Sequence, residues 1–159
     1  MISCPCDPQK LYIDCCEPYL SGKVTPDTPE ALMRSRYTAY TMANIAYIKQ
    51  TMRGTAAVNF QEKEAERWAK KAIWIKLDVI KVIQEMDGIG FVEFEAFFVE
   101  GARLKSIHEN SRFRREQGKW FYVDGTHSPV SPVNQIISLN TNCPCGNQRK
   151  FKNCHGKAR

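Results

Sequence analysis

No stretch of this chain approaches the roughly 18 uncharged apolar residues that a membrane-spanning helix needs. The opening Met1-Ile2-Ser3-Cys4 has neither the basic nor the apolar segment of a secretion signal. No G-x-x-x-x-G-K-[ST] or G-x-G-x-x-G loop is present to cradle phosphates. No Ser-His-Asp or Cys-His order suggests an activated nucleophile. These absences leave a folded cytoplasmic chain as the default, with neither a nucleotide-binding loop nor a hydrolase triad.

Cysteine, in contrast, is abundant: there are seven. Without a secretion signal, a disulfide framework is not expected, because reducing compartments keep thiols free. Cys4-x-Cys6 is followed eight residues later by Cys15-Cys16, and Cys143-x-Cys145 by Cys154-His155 at the same spacing. Seven cysteines and His155 make eight ligands, enough for two tetrahedral sites with no thiol left over. Zinc suits thiolate and imidazole, and closed Cys4 and Cys3His sets are structural rather than catalytic sites. Two Zn2+ ions are therefore expected. Loops this short bury no core of their own, so the metal would supply most of their folding free energy, on the order of 10–16 kcal/mol. Competing readings are disulfides in some pattern or an iron–sulfur cluster. A Cys15–Cys16 bond would join Cα atoms only about 3.8 Å apart, below the usual range. A histidine ligand tells against the cluster at the C-terminal end.

The net charge of +6 is concentrated in the tail. Arg149, Lys150, Lys152, Lys157 and Arg159 stand in a segment without an acid, whereas Cys4–Gly22 carries a charge of −2. A basic tail fits RNA, an acidic protein or a lipid surface, and charge alone does not choose.

Between the clusters, T-P-D-T-P at 25–29 starts a helix that Asp27 or Thr28 can cap, with Pro29 in its first turn. One long amphipathic helix is expected from Glu30 to about Met52, with Leu32, Arg36, Ala39 or Tyr40, Ala43 and Tyr47 on one face. A charged helix with Trp68 follows over Gln61–Lys71. From Ile73 the pattern alternates, Ile73, Ile75, Leu77 and Val79 against Trp74, Lys76 and Asp78, as in a half-buried strand. Further strands are expected over Phe91–Val99, Lys105–Glu116 and Lys119–Asp124. Turns are expected at Met86-Asp87-Gly88, Gly101 and Gln117-Gly118. Helices followed by an antiparallel meander predict an α+β fold. Pro129 and Pro132 predict an extended connector.

C-P-C-G-N-Q-R-K-F-K-N-C-H-G at 143–156 resembles the SEC-C motif, the zinc knuckle at the end of the translocase motor SecA. Gly146 would give the tight turn, and Phe151 would pack against the loop. The N-terminal copy keeps the ligands and Tyr12 but has Asp7-Pro8 where the motif prefers Gly-Ser. A-L-M-R-S-R-Y-T-A-Y at 31–40, S-R-F at 111–113 and W-F-Y-V-D-G at 120–125 resemble the YchJ family. That resemblance implies a knuckle over 1–24, a cone-like nuclear transport factor 2-like domain over 25–130, and a linker with a second knuckle over 131–159.

A cone fold encloses a cavity, and such folds host both enzymes and binders. Arg36, Tyr40, His108, Glu109 and Arg112 are candidates for an acid/base or anion site. Strand alternation places His108 and Arg112 on one face and Glu109 on the other. The plainer expectation is a structural ion pair of Arg36 with Glu109 or Asp124 and a solvent-facing His108. His127 reads as loop polarity, and Trp120-Phe121-Tyr122 as packing. The functional expectation is a non-enzymatic adaptor whose basic C-terminal knuckle meets a protein or ribosomal partner, RNA being possible. The SecA resemblance implies the protein or ribosomal partner; the acidic N-terminal knuckle could instead dock on the protein's own body or on another copy. The alternative is a small-molecule binder or enzyme using the central cavity. Zinc storage or delivery fits poorly, because closed thiolate-rich sites hold metal firmly.

Overall fold

The computed structural model describes residues 2–128 and 131–157. Pro129 of the expected connector and Arg159 of the basic tail lie outside the described residues. Strands β1 (Ser3–Cys4) and β2 (Asp7–Leu11) pair antiparallel, and a 3-10 turn at Tyr12–Asp14 leads to α1 (Glu17–Leu20).

Helix α2 (Pro29–Thr41) begins where Thr28 accepts the Ala31 N–H at 3.1 Å, with Pro29 in its first turn. It does not run on to Met52. Ala43 turns to φ +52°, and Asn44 accepts the Tyr47 N–H at 3.1 Å, capping a separate α3 (Ile45–Gln50). A further short helix, α4 (Gly54–Val58), precedes α5 (Glu62–Lys71). Helix α5 has Glu62 and Glu64 in its first turn and Lys70 and Lys71 in its last, matching the helix dipole.

The sheet comprises β3 (Ile73–Gln84), β4 (Ile89–Glu100), β5 (Arg103–Glu116) and β6 (Lys119–His127), all antiparallel neighbours in that order. Gly101-Ala102 and Gln117-Gly118 all have positive φ, as the tight hairpin turns require. The expected connector is instead partly a strand: β7 (Ser131–Ile136) pairs with the first half of β5. Strands β6 and β7 thus share one edge of β5, and Pro132 is tolerated because β7 is itself an edge.

A bulge between Trp74 and Lys76 alters the expected alternation of β3. Trp74 and Leu77 both reach the helix side, while Ile73 and Ile75 reach the other. On the helix side, α2 presses Leu32, Met33 and Tyr37 onto Val92, Phe94, Ala96 and Phe98. The opposite face of the sheet carries Ile75, Phe97, Val99 and Leu104, covered by Ile137, Cys143 and Phe151. Each cysteine cluster therefore seats on its own side of one sheet.

Candidate functional site

The β1–β2 hairpin presents Cys4 and Cys6, and the turn into α1 presents Cys15 and Cys16. The four sulfurs lie within 4.8 Å of one another. Cys6 Sγ is 3.5 Å from Cys4 Sγ and from Cys16 Sγ, and 3.6 Å from Cys15 Sγ. A tetrahedral metal with sulfur bonds of about 2.3 Å would separate its thiolates by about 3.8 Å, so the donor set fits such an ion. The Cys4 thiol is pulled down by Cys16 and Cys6 beside it, and the Cys16 thiol is pushed up by its bonds to Cys4 and Cys6. Four thiols this close share protons unevenly, and a dication would relieve that crowding. The cluster is part of the core: Cys4 is 2% exposed and Cys16 1%, packed with Tyr37, Trp74 and Phe98. Helix α2 anchors it twice. Thr38 Oγ1 donates to Cys16 Sγ at 3.3 Å, and Arg34 Nη1 donates to the Cys6 carbonyl at 3.1 Å.

At the other end, Cys143, Cys145, Cys154 and His155 also bring their ligand atoms within 4.8 Å. His155 turns Nδ1 to Cys143 and Cys154, 3.2 Å from each sulfur, and Cys145 and Cys154 are 3.7 Å apart. All seven cysteines are free thiols. The Gly146 N–H closes the turn on the Cys143 carbonyl at 3.2 Å, and Asn147 Nδ2 donates to Cys154 Sγ at 2.9 Å. Gly156 is required sterically: a Cβ there would lie 2.5 and 2.7 Å from the Phe151 ring. Phe151 is buried, whereas Arg149, Lys150, Lys152 and Lys157 are exposed.

A cavity of about 580 Å³ opens between the helices and the sheet, walled largely by aromatic and aliphatic side chains. Of the sequence candidates, Arg36, Tyr40 and Glu109 line it. His108 and Arg112 face away: His108 Nε2 meets Glu93 Oε1 at 2.8 Å, and Arg112 Nη1 lies 3.8 Å from Asp124. Asp124 is therefore not the partner of Arg36. Neither does Glu109 pair with it directly. Arg36 Nη1 donates to the Ile48 carbonyl at 2.8 Å and to Thr51 Oγ1 at 2.7 Å, and its guanidinium lies 4.7 Å above the Tyr122 ring. Glu109 accepts from Ser111 Oγ at 2.7 Å and from the Tyr122 hydroxyl at 2.8 Å. Burial and the neighbouring Glu109 hold the Tyr122 phenol above its ordinary value, which keeps it a donor.

His127, read from sequence as loop polarity, belongs to β6 and places Nδ1 3.2 Å from Glu109 Oε2 at the cavity mouth. The reason is a bulge between Arg112 and Phe113. Continuing the hairpin register from Glu116↔Lys119 would set Thr126 opposite Glu109; the bulge sets His127 there. Tyr122, expected only to pack, also lines the cavity.

Two solved structures share this architecture. A SEC-C motif containing protein from Rhodopseudomonas palustris is 33% identical with a TM-score of 0.73, over 80% of this chain and 100% of that one. A sec-c motif containing protein from Psychrobacter arcticus is 31% identical with a TM-score of 0.69, over 97% of this chain and 95% of that one. Residues 28–125, more than half of the chain, match the family model described as YchJ, middle NTF2-like domain. With α2 and strands β3 to β5 inside that match and a cysteine cluster on either side of it, the chain belongs to the YchJ family.

Proposed function

We propose that each cluster holds one zinc ion as a closed structural site, and that the protein is a non-enzymatic adaptor. The observation that carries this is the convergence of four ligand atoms within 4.8 Å at each end of the chain. Thiolates and one imidazole in closed sets of four suit Zn2+ and leave no position for a reacting water. The division into a knuckle at 1–24, a central domain at 25–130 and a second knuckle at 131–159 goes with this reading. So does a cytoplasmic location, where thiols stay reduced.

The C-terminal knuckle is the contact surface for a protein or ribosomal partner. It keeps Phe151 on the sheet and turns Arg149, Lys150, Lys152 and Lys157 to solvent. The N-terminal cluster is enclosed by α2 and Trp74 and serves the protein's own body.

Elemental analysis of protein purified without chelator should find two zinc ions per chain. Capture of partners from a bacterial extract should then fail for the double variant Cys143→Ser, Cys145→Ser. Exchanging Lys150 and Lys152 for Glu should weaken capture with zinc content unchanged. An RNA-bearing partner should dissociate steeply with rising salt. One zinc per chain, or capture indifferent to the knuckle, would overturn the corresponding half of the reading.

A further inference from the structure

The central cavity is chemically unlike the two metal clusters. Arg36 is 7% exposed and lines it, yet forms no ion pair among the described residues. Its Nη1 helps to fasten α2 to α3, through the Ile48 carbonyl and Thr51 Oγ1. Among the described residues no group hydrogen-bonds its Nε or Nη2, so three N–H donors remain. Desolvating a guanidinium is costly, and a purely structural role would be expected to fill those donors with a carboxylate. Glu109, 8% exposed, accepts from Ser111 and Tyr122 on Oε1, while its Oε2, 3.2 Å from His127 Nδ1, retains accepting lone pairs.

Arg36 and Glu109 thus give the cavity one buried cation and one buried anion, with donors to spare on the first and an acceptor on the second. A carboxylate ligand would place two anions beside one guanidinium, and an ammonium would place two cations beside one carboxylate. A neutral group with an oxygen acceptor and an adjacent N–H satisfies both. The remaining walls, Tyr37, Trp68, Trp74, Phe94 and Phe113, favour a flat ring. We propose that the cavity binds an uncharged, ring-containing small molecule through an amide edge, its carbonyl received by Arg36 and its N–H by Glu109.

Three isosteric probes separate the alternatives: 2-naphthamide, 2-naphthoate and 2-naphthylmethylammonium. Trp68 and Trp74 line the cavity and Trp120 does not, so their indole N–H resonances in the zinc-loaded full chain form a reporter with an internal control. Naphthamide should shift Trp68 and Trp74, leave Trp120 still, and bind at least tenfold more tightly than either charged probe. Glu109→Gln keeps the side-chain shape and removes the anion, so it should invert the order and make naphthoate the preferred probe. Arg36→Met should abolish naphthamide binding. No movement of Trp68 and Trp74 with any probe at low-millimolar concentration would overturn the proposal. So would a wild-type preference for a charged probe, or an order that Glu109→Gln leaves unchanged.

Discussion

Thr38 is fully buried on α2, and its hydroxyl is directed at sulfur: it donates to Cys16 Sγ at 3.3 Å and lies 3.8 Å from Cys4 Sγ. A hydrogen bond from outside the ligand set stabilises a thiolate and fixes its direction, and such partners are commonly worth 10–100-fold in metal affinity. Thr38→Val, which keeps the shape, should weaken the N-terminal site by about that factor and leave the C-terminal site unchanged. Competition with a chromophoric chelator should resolve the two sites; equal loss at both would count against the bond. The counterpart at the other end is Gly156. Gly156→Ala would drive Phe151 off its seat on the sheet, and overpacking of this kind costs about 1–3 kcal/mol. Its expected signature is faster chelation at the C-terminal site, with the melting temperature of the central domain little changed.

At the scale of elements, the clusters were the most legible part of the chain, because ligand spacing is local and a closed set of eight leaves little freedom. The start of α2 was equally legible through Thr28, Pro29 and Glu30. What spacing could not show was any change of phase. Helical periodicity passes smoothly from α2 into α3, and only the positive φ of Ala43 with the Asn44 cap divides them. Bulges at Trp74/Lys76 and Arg112/Phe113 exchange the sheet faces of the neighbouring strand residues, and His127 was missed because the strand expected over Lys119–Asp124 runs on to His127. The tyrosines of α2 and α3 supply a test of this packing. Burial raises Tyr37, Tyr40 and Tyr47, the last from 10.0 to about 12. Because the folded-state values are raised, the stabilisation from holding these protons is complete below the unfolded value and is lost as pH rises toward the folded one. The urea midpoint should therefore be level up to about pH 10 and fall between 10 and about 12. Each tyrosine contributes a slope of about 1.4 kcal/mol per pH unit. Tyr47→Phe should make that fall shallower, with tyrosinate absorbance locating the ionisation.

Across the whole molecule the two clusters differ in shelter. Cys4, Cys6 and Cys16 are buried among core aromatics, whereas Cys145, Cys154 and His155 are only half-buried. A chelator should remove metal in two phases, the faster one matching loss of the Cys143→Ser site. Release of the first ion should barely move the thermal midpoint, and release of the second should lower it by more than about 10 °C. A single phase with one thermal shift would mean that the clusters are coupled through the sheet.

The seating of Cys4 and Cys16 against Trp74 and Phe98 has a consequence for the order of events during synthesis. The first ligands to be made belong to a site whose walls come from α2, β3 and β4, so it cannot be completed when they emerge. The burial of these thiols in the folded chain therefore requires residues as far along the sequence as Phe98. The N-terminal cysteine cluster comes first in the sequence, but the walls that shelter it come from the middle of the chain.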